Sequence, residues 1–86
     1  MKASPSTPVP IALPDLGAAR AVLSLWHVRP GERVYAGDRV VEVLIPGAVV
    51  DVSAPATGTV RDRLAQPNDV LTAGQVLGTI EPDGEG

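Results

Sequence analysis

Sliding the chain on itself by 37 positions brings its turn residues and its apolar residues into coincidence together. Pro30 meets Pro67, Ala36 meets Ala73 and Gly37 meets Gly74. Gly31 meets Asn68, the two residue types that most readily accept left-handed backbone. Glu32 meets Asp69, Leu23 meets Val60, Val34 meets Leu71, Val40 meets Leu77 and Val43 meets Ile80, all without a gap. Punctuation and apolar positions repeat while surface residues do not, which is the mark of one backbone path used twice. The pattern predicts two half-domains related by a pseudo-twofold axis, each supplying strands to both of two stacked sheets. No segment of adequate length keeps a 3.6-residue apolar period, so the expected class is all-β with no helix.

Between the halves lies Val40 to Val52, two runs rich in β-branched residues around Pro46-Gly47. Pro46 presets its own backbone angle and Gly47 tolerates positive φ, which together suit a type II turn. Such a turn matches strand twist less well than the primed types, so the hairpin tip is expected to splay. Around this hairpin the order of elements is the same on both sides. Strands are expected at Val9–Leu13 and Arg20–Val28, then a short extended piece at Val34-Tyr35. After the hairpin come Thr59–Ala65, a short piece at Val70-Leu71, and Val76–Ile80. Turns fall at Pro14–Gly17, Arg29–Glu32, Ala36–Asp38, Thr57-Gly58, Gln66–Asp69 and Ala73-Gly74. Residues 1–8 read as a flexible, linker-like lead-in, residues 9–81 as the domain, and residues 82–86 as a frayed polar tail.

Composition limits the rest. Eighty-six residues suffice for one small domain, and with no Cys neither disulfides nor thiolate metal sites are available to staple it. One Trp, one Tyr and no Phe leave Val, Leu, Ile and Ala to fill the interior. A net charge of −3 argues against nucleic acid as a partner. No apolar run approaches a membrane span, and the N-terminus lacks the apolar core of a signal peptide, so a cytoplasmic location is expected.

Four stretches resemble the lipoyl and biotinyl carrier domains. Ile11-Ala12-Leu13-Pro14-Asp15-Leu16-Gly17 is similar to the lipoyl-domain opening, and Val28 to Asp38 resembles the family's V-K-x-G-D-x-V-x-x-G-D. Ser53 to Val60 is similar to P-A-P-x-x-G-x-V, and Ala73-Gly74-Gln75-Val76-Leu77 to x-G-Q-x-L. The resemblance covers Val9 to Glu81. It implies a flattened barrel-sandwich hybrid of two four-stranded antiparallel sheets with pseudo-twofold symmetry, in agreement with the repeat.

The departure lies at the hairpin tip. Lipoyl domains read E-T-D-K-A there, with the Lys amine acylated by lipoate, and biotinyl domains read M-K-M. The matching residues here, without a gap, are Leu44-Ile45-Pro46-Gly47-Ala48, so Gly47 stands at the lipoyl-lysine position. An amide-linked arm needs an ε-amine, and the chain's only Lys is Lys2. No cofactor is therefore expected. Leu44, Ile45, Pro46, Gly47, Ala48 and Val49 form a candidate interaction tip, since apolar residues replace the polar ones of the family. Folding of one face of the hairpin back onto the sheet is the competing expectation. The leading functional expectation is a non-catalytic protein-interaction module, with 2-oxo-acid dehydrogenase complex components as the partners the resemblance suggests. The alternatives are a barrel fragment of a membrane-fusion or efflux adaptor, and a carrier modified elsewhere.

Other candidates are weaker. Asp38, Glu42, Asp51, Asp62 and Asp69 read as solvated surface carboxylates. His27 is the only His, and without Cys or a second His it forms no recognisable metal motif. Trp26 is better placed packing across a sheet than anchoring a partner. Arg20, Arg29, Arg33, Arg39, Arg61 and Arg63 are scattered rather than gathered into a phosphate groove. No catalytic residues are expected.

Overall fold

The computed structural model describes residues 7–83. Eight strands follow one another: β1 (Val9–Ala12), β2 (Ala21–Trp26), β3 (Arg33–Val34), β4 (Arg39–Ile45), β5 (Ala48–Ser53), β6 (Gly58–Arg63), β7 (Val70–Leu71) and β8 (Val76–Pro82). They form two four-stranded antiparallel sheets, ordered β1-β8-β6-β3 and β5-β4-β2-β7. Among the described residues there is no helix. The all-β sandwich read from the repeat is the observed architecture.

The 37-residue offset holds to the residue for three strand pairs: β2 to β6, β3 to β7 and β4 to β8 begin and end 37 positions apart. Exchanging the two halves converts one sheet order into the other. Even the irregularities repeat. Pairing of β2 with β4 slips between Leu23 and Leu25, and that of β6 with β8 slips between Val60 and Asp62, the equivalent positions. The first strand obeys a different offset. Leu13 N–H donates to Gln75 O at 2.9 Å, and Ala54 N–H donates to Asp38 O at 2.7 Å. Leu13 therefore corresponds to Ala54, and the first half carries four additional residues between β1 and β2.

The left-handed turns tie the halves together. Gly31 (φ 91°) donates its N–H to Val60 O at 2.7 Å, and Asn68 (φ 78°) donates its N–H to Leu23 O at 2.8 Å. Val60 N–H in turn donates to Glu32 O at 2.8 Å and Leu23 N–H to Asp69 O at 3.0 Å. The acidic residues of the repeat close these turns. Glu32 accepts from Arg29 N–H at 3.1 Å and Asp69 from Gln66 N–H at 2.8 Å, while Asp38 accepts from Tyr35 N–H at 2.9 Å. Asp38 and Asp69 are exposed, as expected of surface carboxylates, and they also supply side-chain acceptors that fix turn geometry.

Between the sheets sits a core of Val, Leu, Ile and Ala alone, with no buried polar or charged side chain among the described residues. Ile11, Leu23, Val40, Val41, Val43, Leu77 and Ile80 are fully excluded from solvent, and burying each contributes about 1.5–3 kcal/mol. Trp26 lies half-buried against this core and donates its indole N–H to Ala65 O at 2.9 Å, as a packing Trp requires.

Two expectations are corrected. The hairpin tip does not splay, because pairing continues through Leu44↔Val49 to Ile45↔Ala48. The tail does not begin at Pro82: β8 runs through Glu81 and Pro82, which stand opposite Thr59 and Gly58. Arg33 then grips Asp83 through two hydrogen bonds of 2.9 and 2.6 Å, and Asp83 raises the guanidinium pKa above its ordinary value. Polar composition suggested fraying, but a cross-strand register and a forked ion pair override it. Residues 84–86 of the expected tail, and residues 1–6 of the expected lead-in, lie outside the described residues.

Gly78 sits where β8 crosses under Trp26. A Cβ there would come within 2.5 Å of Asp62 O and 2.9 Å of the Trp26 ring. Gly78→Ala is expected to cost roughly 2–3 kcal/mol by urea denaturation, the scale of overpacking against backbone.

Candidate functional site

Pairing of β4 with β5 leaves only Pro46-Gly47 as the connection. Gly47 has φ 79° while Pro46 is not positive, the pattern of a type II turn. Apart from Gly47 itself and its chain neighbours, no described atom lies within 4 Å of the position a Gly47 Cβ would take, so the apex is open. It presents backbone and no amine.

The pleat divides the apolar residues beside this apex. Leu44 and Val49 stand opposite each other on the outer face and are 40% and 59% exposed. Val22 of β2, opposite Leu44 on its other side, continues that row. Ile45 points the other way and packs against the core. Ala48 is exposed. One side of the tip thus folds inward through Ile45, and the other remains open through Leu44 and Val49. Arg20, Val22, Leu44, Ile45 and Pro46 line a shallow groove of about 310 Å³.

Farther from the apex, the same sheet carries a polar cluster that sequence reading did not assemble. His27 follows β2, Glu42 lies on β4 and Asp51 on β5, and one ligand atom from each lies within 4.8 Å of the others. Three adjacent strands place them: Glu42 pairs directly with Asp51 and with Leu25, and His27 N–H donates to Val40 O at 2.9 Å. The imidazole Nε2–H donates to Asp51 Oδ1 at 2.9 Å, and Arg39 Nη1 lies 3.5 Å from Asp51 Oδ2. Sequence separations of 15 and 24 residues conceal this grouping, and only the β2-β4-β5 register brings it together. The remaining arginines are dispersed as expected. Arg61 pairs with Glu81 at 3.3 Å, and Arg63 donates to Val28 O at 3.4 Å.

The His27 hydrogen bond first, and then the charge of Arg39, hold the Asp51 carboxyl below the usual carboxylate range against partial desolvation. A depressed folded-state pKa means that Asp51 stabilises the fold above its unfolded value of about 3.9. That contribution is lost as pH falls through the lowered folded value. Asp51→Asn is therefore expected to flatten the acid limb of stability below about pH 4, measured by urea unfolding across pH, and to leave its shape unchanged near neutrality.

Comparison with known proteins agrees with the fold. A family model described as "Biotin-requiring enzyme", for biotin and lipoyl attachment domains, matches residues 9–80. The lipoamide acyltransferase component of the branched-chain alpha-keto acid dehydrogenase complex of Pseudomonas aeruginosa is 32% identical over 78 residues, 88% of this chain and 18% of that protein. The dihydrolipoyllysine-residue succinyltransferase component of the 2-oxoglutarate dehydrogenase complex of Escherichia coli is 32% identical over 74 residues, again 18% of its length. The chain thus spans about a fifth of the length of these relatives. Among solved structures, the lipoyl domain of the Azotobacter vinelandii 2-oxoglutarate dehydrogenase complex superimposes with a TM-score of 0.63 at 24% identity, covering 95% of this chain and 100% of that one. Kluyveromyces lactis urea carboxylase superimposes with a TM-score of 0.76 at 20% identity, covering 92% of this chain and 7% of that one. With its repeat, its two exchanged sheets and a family match over nearly its whole length, this chain belongs to the biotin/lipoyl attachment domain family.

Proposed function

We propose that this domain is a non-catalytic protein-interaction module, related to the lipoyl domains of 2-oxo-acid dehydrogenase acyltransferases, that carries no lipoyl or biotinyl group at its hairpin tip. The observation that carries the reading is an open apex of Pro46-Gly47 beside an exposed apolar row. The family's prosthetic groups do not fit the residues present at this turn. Amide attachment requires a primary amine, and Gly47 at the proposed lysine position has no side chain. Lys2, the only Lys, lies outside the described residues.

What the tip offers instead is area. Leu44 and Val49 are a cross-strand pair held in one geometry by the ladder beneath them, so a partner covering them gains apolar burial at little ordering cost. Pro46 restricts the adjacent turn in the same way. The relatives are components of 2-oxo-acid dehydrogenase complexes, which makes the other components of such a complex the first partners to test.

Ile45 is unsuitable as a test position because it packs against the core. Leu44→Asp and Val49→Asp are expected to weaken binding to purified 2-oxo-acid dehydrogenase components by about tenfold or more in sedimentation velocity, with melting temperature nearly unchanged. Full binding by both variants would refute the role of the tip. Intact mass of the protein purified from its native cells is expected to equal that of the polypeptide alone. An added lipoyl or biotinyl mass would show that the domain is a carrier.

A further inference from the structure

We propose that His27, Glu42 and Asp51 form a binding site for a divalent transition-metal cation, with Zn²⁺ as the representative ion. The donor set is one imidazole and two carboxylates, a combination that favours ions of Zn²⁺ type over the all-oxygen preferences of Mg²⁺ and Ca²⁺. A tetrahedral ion with bonds of about 2.0 Å needs ligand atoms about 3.3 Å apart. His27 Nε2 and Asp51 Oδ1 stand 2.9 Å apart and all three ligand atoms lie within 4.8 Å of one another, so modest side-chain rotations would bring them to that distance. The backbone beneath needs no movement, because the three residues are fixed by hydrogen-bonded register across β2, β4 and β5.

Charge supports the assignment independently of spacing. Asp51 accepts a hydrogen bond from His27 at 2.9 Å and lies 3.5 Å from the Arg39 guanidinium. Glu42 is half-buried beside that carboxylate, yet among the described residues it makes no side-chain hydrogen bond and no ion pair. A cation placed between the two carboxylates is attracted by both. A bound divalent ion would satisfy Glu42, replace the imidazole–carboxylate hydrogen bond, and keep its outward coordination positions for water. Arg39 is the competing cation. Its side chain is 73% exposed and held only by a 3.5 Å contact, so an incoming ion displaces it at little cost.

The test is isothermal titration of the full-length chain with Zn²⁺, with Mg²⁺ as the comparison ion. One Zn²⁺ per chain is expected, with affinity falling about tenfold or more in Glu42→Gln and in His27→Asn. Arg39→Gln is expected to bind roughly threefold more tightly, because it removes a like charge near the ion. These positions are exposed or half-buried, and thermal unfolding of each variant checks that its fold is retained. The absence of saturable Zn²⁺ binding, or binding that Glu42→Gln leaves unchanged, would overturn the site. Equal binding of Mg²⁺ would overturn the part assigned to the imidazole.

Discussion

Each half of this molecule leaves backbone groups of a core strand open until the other half's turn closes over them. Leu23 and Val60, both buried, exchange hydrogen bonds with the Asn68-Asp69 and Gly31-Glu32 corners of the opposite half. Left unpaired, each buried amide would cost about 1–3 kcal/mol. The bonds form only because Gly31 and Asn68 occupy left-handed backbone, which aims their amide groups across the interface. Neither half can therefore complete its hydrogen bonding alone. Equivalent residues such as Val40 and Leu77 are both fully buried in the one apolar core that the two halves share.

That dependence explains what the amino-acid order reveals. Turn chemistry and burial are both strong local signals, and here they recur together, so Gly31 with Asn68 and Val43 with Ile80 announce the symmetric fold before any coordinates. Features set by pairing across the sheet are less legible. The end of β8 looks like a polar tail until Gly58 and Arg33 supply partners for Pro82 and Asp83. The four additional residues between β1 and β2 break the uniform offset without any composition change to mark them. His27, Glu42 and Asp51 are individually unremarkable residues, and their meeting depends on the register of three strands. At the tip, alternation along β4 separates Ile45 from Leu44, a distinction that hydropathy alone does not draw.

The outer face of the β5-β4-β2-β7 sheet is consequently divided along its length. Near the Pro46-Gly47 turn it is apolar, with Val22, Leu44 and Val49 in a row. Toward the other end it becomes ionic, with Glu42, Asp51, His27 and Arg39. Both halves of that face rest on the same rigid ladder, so the domain offers two chemically different surfaces without a moving part. The attachment-domain family supplies this scaffold, and residue choice on the exposed side of β4 and β5 gives the face its two chemistries.

The pseudo-twofold arrangement has a topological consequence. At one pole, Pro46-Gly47 sews β4 to β5; at the opposite pole, β8 and β1 occupy the equivalent places, with Ile80 facing Val9, and no peptide link joins them. The sandwich is thus a ring of strands opened at one of two interchangeable seams. A circular permutant, stitched between β8 and β1 and cut at the hairpin, would assemble the same interior from the same neighbours.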